Sequence, residues 1–296
     1  MESTKSLFVS MVGKTNVGKS SILNMIVGSK VSITSPKPQT TRNRITGILT
    51  DNNVQLVFID TPGLHKPIGC LGNFMISEIN NSFSGVEACL HVVEAGKEPL
   101  PSDLKLIEKF KKSNLKVILL INKIDLIKQK NVIISQIDQF SKLFNYEAII
   151  PVSARTHFGR LEVINELKKL AQESVFFFPE DDLTDQSERK LVCEIVREKL
   201  LWNLDKELPH GTAVMIEKFR RINDSTVSVQ AVIYCERDNH KAIIVGAGGK
   251  MIKKVGIEAR EDLERILDCK VNLNLFVKVK KDWRNKPGVL KELGYC

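Results

Sequence analysis

No stretch of the 296-residue chain approaches the ~20 consecutive apolar residues that a membrane-spanning helix requires. Cysteines occur at Cys70, Cys89, Cys193, Cys235, Cys269 and Cys296, yet there is no Cys-x-x-Cys pair and no His-Cys cluster at zinc-ligand spacing. They therefore read as reduced thiols rather than as ligands of a structural metal. The histidines, His65, His91, His157, His210 and His240, form no local triad, and none is assigned a catalytic role. No cleavable signal peptide is expected ahead of a motif that begins at Gly13, so the chain reads as cytosolic. What is present is the composition of a globular protein, 43% hydrophobic and 27% charged residues, in a length that suggests two domains. The net charge of +9 is uneven: residues 189–296 hold 22 Lys and Arg against 15 Asp and Glu, whereas residues 1–188 hold 22 against 20. A basic C-terminal third fits a polyanion partner and, equally, a solvated charged face.

The run Leu7-Phe8-Val9-Ser10-Met11-Val12 leads into Gly13-Lys14-Thr15-Asn16-Val17-Gly18-Lys19-Ser20 and a helix-forming segment, Ser21 to Val27. The order is strand, phosphate loop, helix. Two glycines so spaced let successive N–H groups cradle phosphate oxygens, while Lys19 reaches the β- and γ-phosphates and Ser20 Oγ meets Mg2+. Further short apolar runs at 54–59, 88–93, 115–121 and 147–152 alternate with amphipathic stretches at 101–112, 131–144 and 159–171. That rhythm predicts an α/β domain with a mostly parallel sheet covered on both faces, and ligands at the carboxyl ends of its strands.

Three more motifs fall where an apolar run ends. Asp60-Thr61-Pro62-Gly63 follows the second run; there Asp60 can hold a magnesium-bound water and the Gly63 N–H can report the γ-phosphate. Asn122-Lys123-Ile124-Asp125 follows the fourth: Asp125 can accept two hydrogen bonds from guanine N1–H and the N2 amine, Asn122 ties the loop and the Lys123 stem covers the purine. Adenine lacks that donor pair, so the pattern selects GTP over ATP and argues against a general nucleotide-dependent kinase. Ser153-Ala154-Arg155 follows the fifth, with backbone N–H groups expected at guanine O6. Between the first two motifs, residues 35–44 are polar, proline-broken and aperiodic, as a mobile switch loop would be. Thr40 and Thr41 are its candidates for a γ-phosphate-sensitive magnesium ligand, and Thr41 is favoured. The expected metal set is Ser20, Thr41 and Asp60, and the expected catalytic set is Lys19, Thr41 and Gly63.

These motifs resemble those of the translation-factor class of GTPases, and Pro38-Gln39-Thr40-Thr41-Arg42 after the phosphate loop resembles the bacterial Era family in particular. The resemblance continues through Glu194-Ile195-Val196-Arg197-Glu198-Lys199-Leu200, Glu207-Leu208-Pro209-His210, Gly256-Ile257-Glu258-Ala259-Arg260 and Leu293-Gly294-Tyr295. It implies a P-loop GTPase domain followed by an α+β type II KH domain that binds RNA. It also accounts for Leu64 where Ras-type enzymes have a water-orienting Gln, and implies slow intrinsic hydrolysis. Asn16 matches an asparagine that helps bind an activating K+ in related GTPases; a loop-stabilising role stands beside that reading.

The acidic, proline-containing run 174–187 separates a GTPase domain (1–173) from a KH domain (188–296), and its three phenylalanines are expected to anchor the linker. In the second part Gly246-Ala247-Gly248-Gly249 lies between two helical stretches with strands before and after, as in an αββααβ KH fold whose Gly-x-x-Gly loop clamps a single-stranded RNA backbone. Loops of the Era family usually carry a basic residue inside that tetrapeptide, whereas Ala247 and Gly248 occupy it here. Lys250, Lys253 and Lys254, at i, i+3 and i+4, are expected to supply the phosphate contacts. The resemblance further implies GTP or GDP with Mg2+, 16S ribosomal RNA near its 3' end, a 30S subunit precursor, a monomer and no DNA, with contact at the inner membrane face left open. A GTP-responsive RNA chaperone with negligible hydrolysis is the alternative function.

Overall fold

The computed structural model describes residues 3–64, 69–113 and 115–295; His65 and Cys296 lie outside them. The chain divides into two compact units, the first built mainly from residues up to 185, the second from 186 onward with 35–40 and 69–74.

In the first unit β1 (Lys5–Val12) feeds α1 (Lys19–Val27), then come β2 (Ile45–Asp51), β3 (Val54–Asp60), α2 (Gly69–Asn81, of which only the part from Met75 belongs to this unit), β4 (Ala88–Glu94), α3 (Pro101–Lys112), β5 (Lys116–Asn122), α4 (Lys130–Leu143), β6 (Ala148–Pro151), α5 (Arg160–Leu170) and the two-residue β7 (Gln172–Glu173). The sheet order is β2-β3-β1-β4-β5-β6, with β7 on β1. Among the described residues of this sheet, only β2 and β7 run antiparallel to their partners. Central strands buried on both faces need predominantly apolar runs, and β3 is buried at every position, Gln55 included. One core cluster, with Val9, Met11, Phe58 and Leu120, lies under α1 and α5; the other, with Cys89, Leu119, Phe110 and Phe140, lies under α3 and α4. Each fully buried large apolar side chain contributes about 1.5–3 kcal/mol. Helix α3 starts on Pro101, and the Asp103 carboxylate accepts from the Leu100 N–H at 2.9 Å.

Sequence periodicity does not indicate β2 or α2. The segment 174–185 runs over the first unit: the N–H groups of Phe177 and Phe178 donate to the fully buried Gln55 side chain at 2.9 and 3.1 Å, and the Phe177 ring meets Phe8 edge-on at 5.0 Å. His91 has no local partners in sequence, yet in the fold its Nδ1 lies 3.1 Å from the Tyr146 hydroxyl. Its Nε2 lies 3.7 Å from Asp103 in the buried core. The five described cysteines are free thiols.

The second unit runs α6 (Glu188–Asn203), β8 (Ala213–Asn223), β9 (Thr226–Cys235), α7 (Asp238–Val245), α8 (Lys250–Leu267), β10 (Lys270–Val279) and α9 (Pro287–Glu292). Its first six elements follow the αββααβ order. Strands β8 and β9 form an antiparallel hairpin, and β10 pairs parallel to β9 after the α7–α8 crossover. Ser187 caps α6 by accepting from the Lys190 N–H at 3.3 Å. Buried Val192, Ile195, Val196, Val229, Ala231, Val255, Ala259 and Leu263 form the core between the helices and one sheet face. After β10, buried Trp283 donates to Gly211 O at 3.0 Å and stacks on Tyr295.

Candidate functional site

The first site forms where β1, β3 and β5 end, on the carboxyl edge of the parallel sheet. Sterics fix the phosphate loop. Gly13 has φ +153, and a Cβ there would stand 2.3 Å from Val92 O; Gly18 has φ +99, and its Cβ would stand 2.2 Å from Asn122 Nδ2. Lys14 and Asn16 are exposed, Asn16 in the left-handed region at φ 65; Thr15 and Ser21 are half-buried, and the Val17 side chain joins the core. Lys19 is buried, with Nζ donating to Gly13 O at 3.2 Å and Lys14 O at 3.3 Å. Burial lowers its pKa to about 8, against an opposing pull from Asp60.

Ser20, Thr41 and Asp60, three groups distant in sequence, converge. Ser20 Oγ donates to Asp60 Oδ2 at 2.6 Å and lies 2.9 Å from Thr41 Oγ1, which is itself 3.4 Å from Asp60 Oδ2. Ser32 also donates to Asp60 Oδ2, at 3.1 Å, a contact that nothing in its aperiodic sequence context signals. Burial pushes the Asp60 carboxyl up, while Lys19 and these hydroxyls pull it down. Its other oxygen, Oδ1, is buried and has no hydrogen-bond partner among the described residues. Two hydroxyls and a carboxylate with an open buried oxygen are hard oxygen donors and fit Mg2+. Thr40 points elsewhere, its hydroxyl donating to Lys37 O at 2.7 Å and lying 2.9 Å from Ser35 Oγ.

The Thr61 hydroxyl is spent inside the fold on Met11 O at 2.8 Å, and Pro62 is buried. Gly63 packs so closely on Thr15 that a Cβ would stand 2.6 Å from its Cα. Leu64 donates its N–H to Gly13 O at 3.1 Å, and its half-buried side chain packs on the second core cluster. Asn122 joins two loops: Nδ2 donates to Val17 O at 2.8 Å, and Oδ1 accepts from the Ala154 N–H at 3.2 Å. The Ala154 amide, expected at guanine O6, thus also serves an internal bond. Lys123 adopts φ 67 and pairs with Glu94 at 3.1 Å. Asp125 Oδ1 accepts from Ser153 Oγ at 2.7 Å, and Oδ2 faces Arg155 Nη2 at 2.7 Å.

In the second unit Gly246, Gly248 and Gly249 all have positive φ. A Cβ at Gly246 would press on Met251, whereas the space around Gly248 and Gly249 is open, so their backbone is accessible. Ala247 begins the single 3-10 turn between α7 and α8. Beside it runs a cleft lined by Ile252, Lys253, Gly256, Ile257 and Arg260 of α8, Asn272 and Asn274 of β10, and Ser228 of β9. The three lysines expected on one face are separated: Lys253 lines the cleft, Lys250 sits exposed at the helix start, and Lys254 pairs with Glu258 at 3.8 Å. At 100° per residue Lys254 lies well off the stripe 253, 257, 260, and Arg260, four residues after Gly256, is the cleft cation that sequence reasoning missed.

The family described as 50S ribosome-binding GTPase matches residues 8–123, and the family described as KH domain matches residues 207–284. GTPase Era of Ruminiclostridium cellulolyticum is 46% identical over 293 residues, 99% of this chain and 98% of that protein. The chain belongs to the Era family of GTPases. GTPase Era of Clostridioides difficile is 44% identical over 292 residues, 98% of each chain. Among solved structures, a point variant of Aquifex aeolicus Era bound to GDP·AlF4− matches with a TM-score of 0.95 and 36% identity, over 99% of this chain and 100% of that one. Era in complex with MgGDPNP and nucleotides 1506–1542 of 16S ribosomal RNA matches with a TM-score of 0.93 and 36% identity over 99% of both. This Era-family chain is thus a GTPase with a mostly parallel GTPase sheet followed by a KH domain, and no described helix is long and apolar enough to cross a membrane.

Proposed function

We propose that the chain hydrolyses GTP at the cluster formed by Gly13–Ser21, Asp60–Gly63, Asn122–Asp125 and Ser153–Ala154, and that it binds the single-stranded 3' region of 16S ribosomal RNA in the α8–β10 cleft during small-subunit assembly. The observation that carries this reading is the full-length match to Era solved with both MgGDPNP and a 16S fragment, joined to a cleft on this chain that holds two cations, Lys253 and Arg260.

Backbone N–H groups of the phosphate loop bind phosphate oxygens, and Lys19 offsets the charge that develops on the β- and γ-phosphates. Ser20, Thr41 and Asp60 hold Mg2+, which when bound neutralises phosphate charge. Asp125 reads the guanine donors while Asn122 keeps the base loop and the phosphate loop in register. Leu64 gives no hydrogen bond to water, so orientation of the attacking water falls to other groups, with K+ at Asn16 as the ion we propose to supply positive charge. In the second site the open backbone at Gly248 and Gly249 admits a sugar-phosphate chain, Lys253 and Arg260 meet phosphates, and Asn272 and Asn274 present amides to base edges. Loss of the γ-phosphate frees Thr41 and Gly63 from their contacts, and this gates RNA binding.

Steady-state phosphate release, measured with and without an oligonucleotide of the 16S 3' end, tests the reading. GTP turnover that responds to the oligonucleotide is expected; no turnover under either condition supports the RNA-chaperone alternative and overturns ours.

A further inference from the structure

We propose that Arg155 tunes base specificity by competing with guanine for the Asp125 carboxylate; this rests on the reading that Asp125 recognises the base. Asp125 sits in the 3-10 turn Ile124–Leu126, and its side chain is 13% exposed. A carboxylate offers about four acceptor positions. Ser153 Oγ takes one on Oδ1 at 2.7 Å, and Arg155 Nη2 takes one on Oδ2 at 2.7 Å. Guanine must place two further donors, N1–H and the N2 amine, side by side across both oxygens. A guanidinium on Oδ2 crowds one of those positions and repels the partly positive base N–H groups.

Arg155 is built to yield. It lies in the turn closed by the Ser153 N–H to Phe158 O bond of 3.1 Å, its side chain is 72% exposed, and Asp125 is its one ion-pair partner among the described residues. Because the Arg155 end is exposed and screened by salt, the competition is that of a surface pair, about 1.5- to 5-fold in affinity. Inosine keeps N1–H and lacks the amine, so it asks for one carboxylate position instead of two. Arg155 consequently penalises guanosine nucleotides more than inosine nucleotides, and it lowers the guanine selectivity that Asp125 alone would give.

The test is titration of GDP and IDP, with Mg2+, into the full chain as wild type, Arg155→Ala and Arg155→Gln, at low salt and at about 0.5 M salt, where the Debye length is only a few ångströms. The expected result is a GDP affinity about 1.5- to 5-fold higher in both variants at low salt, a smaller change for IDP, and a gain that shrinks at high salt. An unchanged or lower GDP-to-IDP affinity ratio overturns the proposal, including the case in which both nucleotides bind more weakly because Arg155 packs on the base. Asp125→Asn, run beside them against GDP and XDP, separates the two claims. If it shifts preference to XDP while the Arg155 variants stay unchanged, only the competition is wrong; if GDP binding is unmoved, base reading by Asp125 fails and the proposal with it.

Discussion

Raising the pH should weaken nucleotide binding through Lys19 while stabilising the nucleotide-free fold, and the burial of Lys19 sets the pH at which both effects begin. Burial lowers the Lys19 pKa from 10.5 to about 8. A shift of about 2.5 units corresponds to roughly 3 kcal/mol at 1.36 kcal/mol per unit. Between pH 8 and 10.5 the unfolded chain binds more protons at this residue than the folded one does, so its contribution to stability rises with pH across that window. Phosphate binding works in the opposite sense, because the phosphate oxygens, those of the β-phosphate in GDP, favour the ammonium and draw its pKa back up. Above pH 8 each nucleotide bound must bring a proton with it, and the GDP affinity should fall by up to tenfold per pH unit. Calorimetric titrations of GDP from pH 7 to 9 in two buffers of different ionisation enthalpy would read both the affinity and the proton uptake. Lys19→Met, which carries no titrating group, is the control for any titration of the base itself. A wild-type affinity flat from pH 7 to 9, or the same slope in Lys19→Met, would refute the reasoning.

Asn122→Ala removes two hydrogen bonds that join the phosphate loop to the Ser153–Ala154 loop; at about 1 kcal/mol each, GTP affinity by fluorescent-nucleotide titration should drop by roughly 30-fold, with the fold retained. Leu64→Ala should leave GTP affinity nearly unchanged and reduce turnover modestly, since no hydrogen bond to water is lost; a drop approaching the ~10³–10⁵ of a missing arginine finger would contradict the role given to this side chain. In salt titrations of single-stranded RNA binding, Lys253→Ala should reduce the slope by ~0.7, whereas Lys254→Ala, whose ammonium pairs with Glu258, should leave it unchanged. Gly249→Asp sets a β-carbon at φ +78 and a negative charge beside the cleft; RNA binding should be abolished in a gel-shift assay and GTP binding retained.

The parts of the fold legible in the sequence were those whose physics is local. Gly13 and Gly18 stand at fixed spacing because any side chain there would enter Val92 O or Asn122, and the central strands had to be predominantly apolar because they are buried on both faces. Strand β2 was missed because Gly47 and the polar Thr46, Thr50 and Asp51 break up its apolar run, although it pairs locally with β3 through a two-residue Asn52-Asn53 hairpin in which Asn52 has φ 56. Helix α2 opens with Gly69 and Gly72 and ends with two asparagines, poor helix formers that packing overrides. Within the site, Thr41 could be preferred over Thr40 from its place before Arg42, yet Ser32 and Arg155 could not be tied to Asp60 and Asp125. Those contacts bridge 28 and 30 residues through the fold. The lysines after Gly249 were legible as a cluster, but which of them faces the cleft depends on how α8 packs against β10.

Coupling between a γ-phosphate sensor at Ser20, Thr41 and Asp60 and an RNA cleft on the KH domain is tested most directly by the affinity of a 16S 3'-end oligonucleotide for the full chain loaded with Mg2+ and either GDPNP or GDP. Tighter binding in the GDPNP state, with the difference lost in Thr41→Ala, is the predicted result. Equal affinity in the two states, or a difference that survives Thr41→Ala, would contradict it.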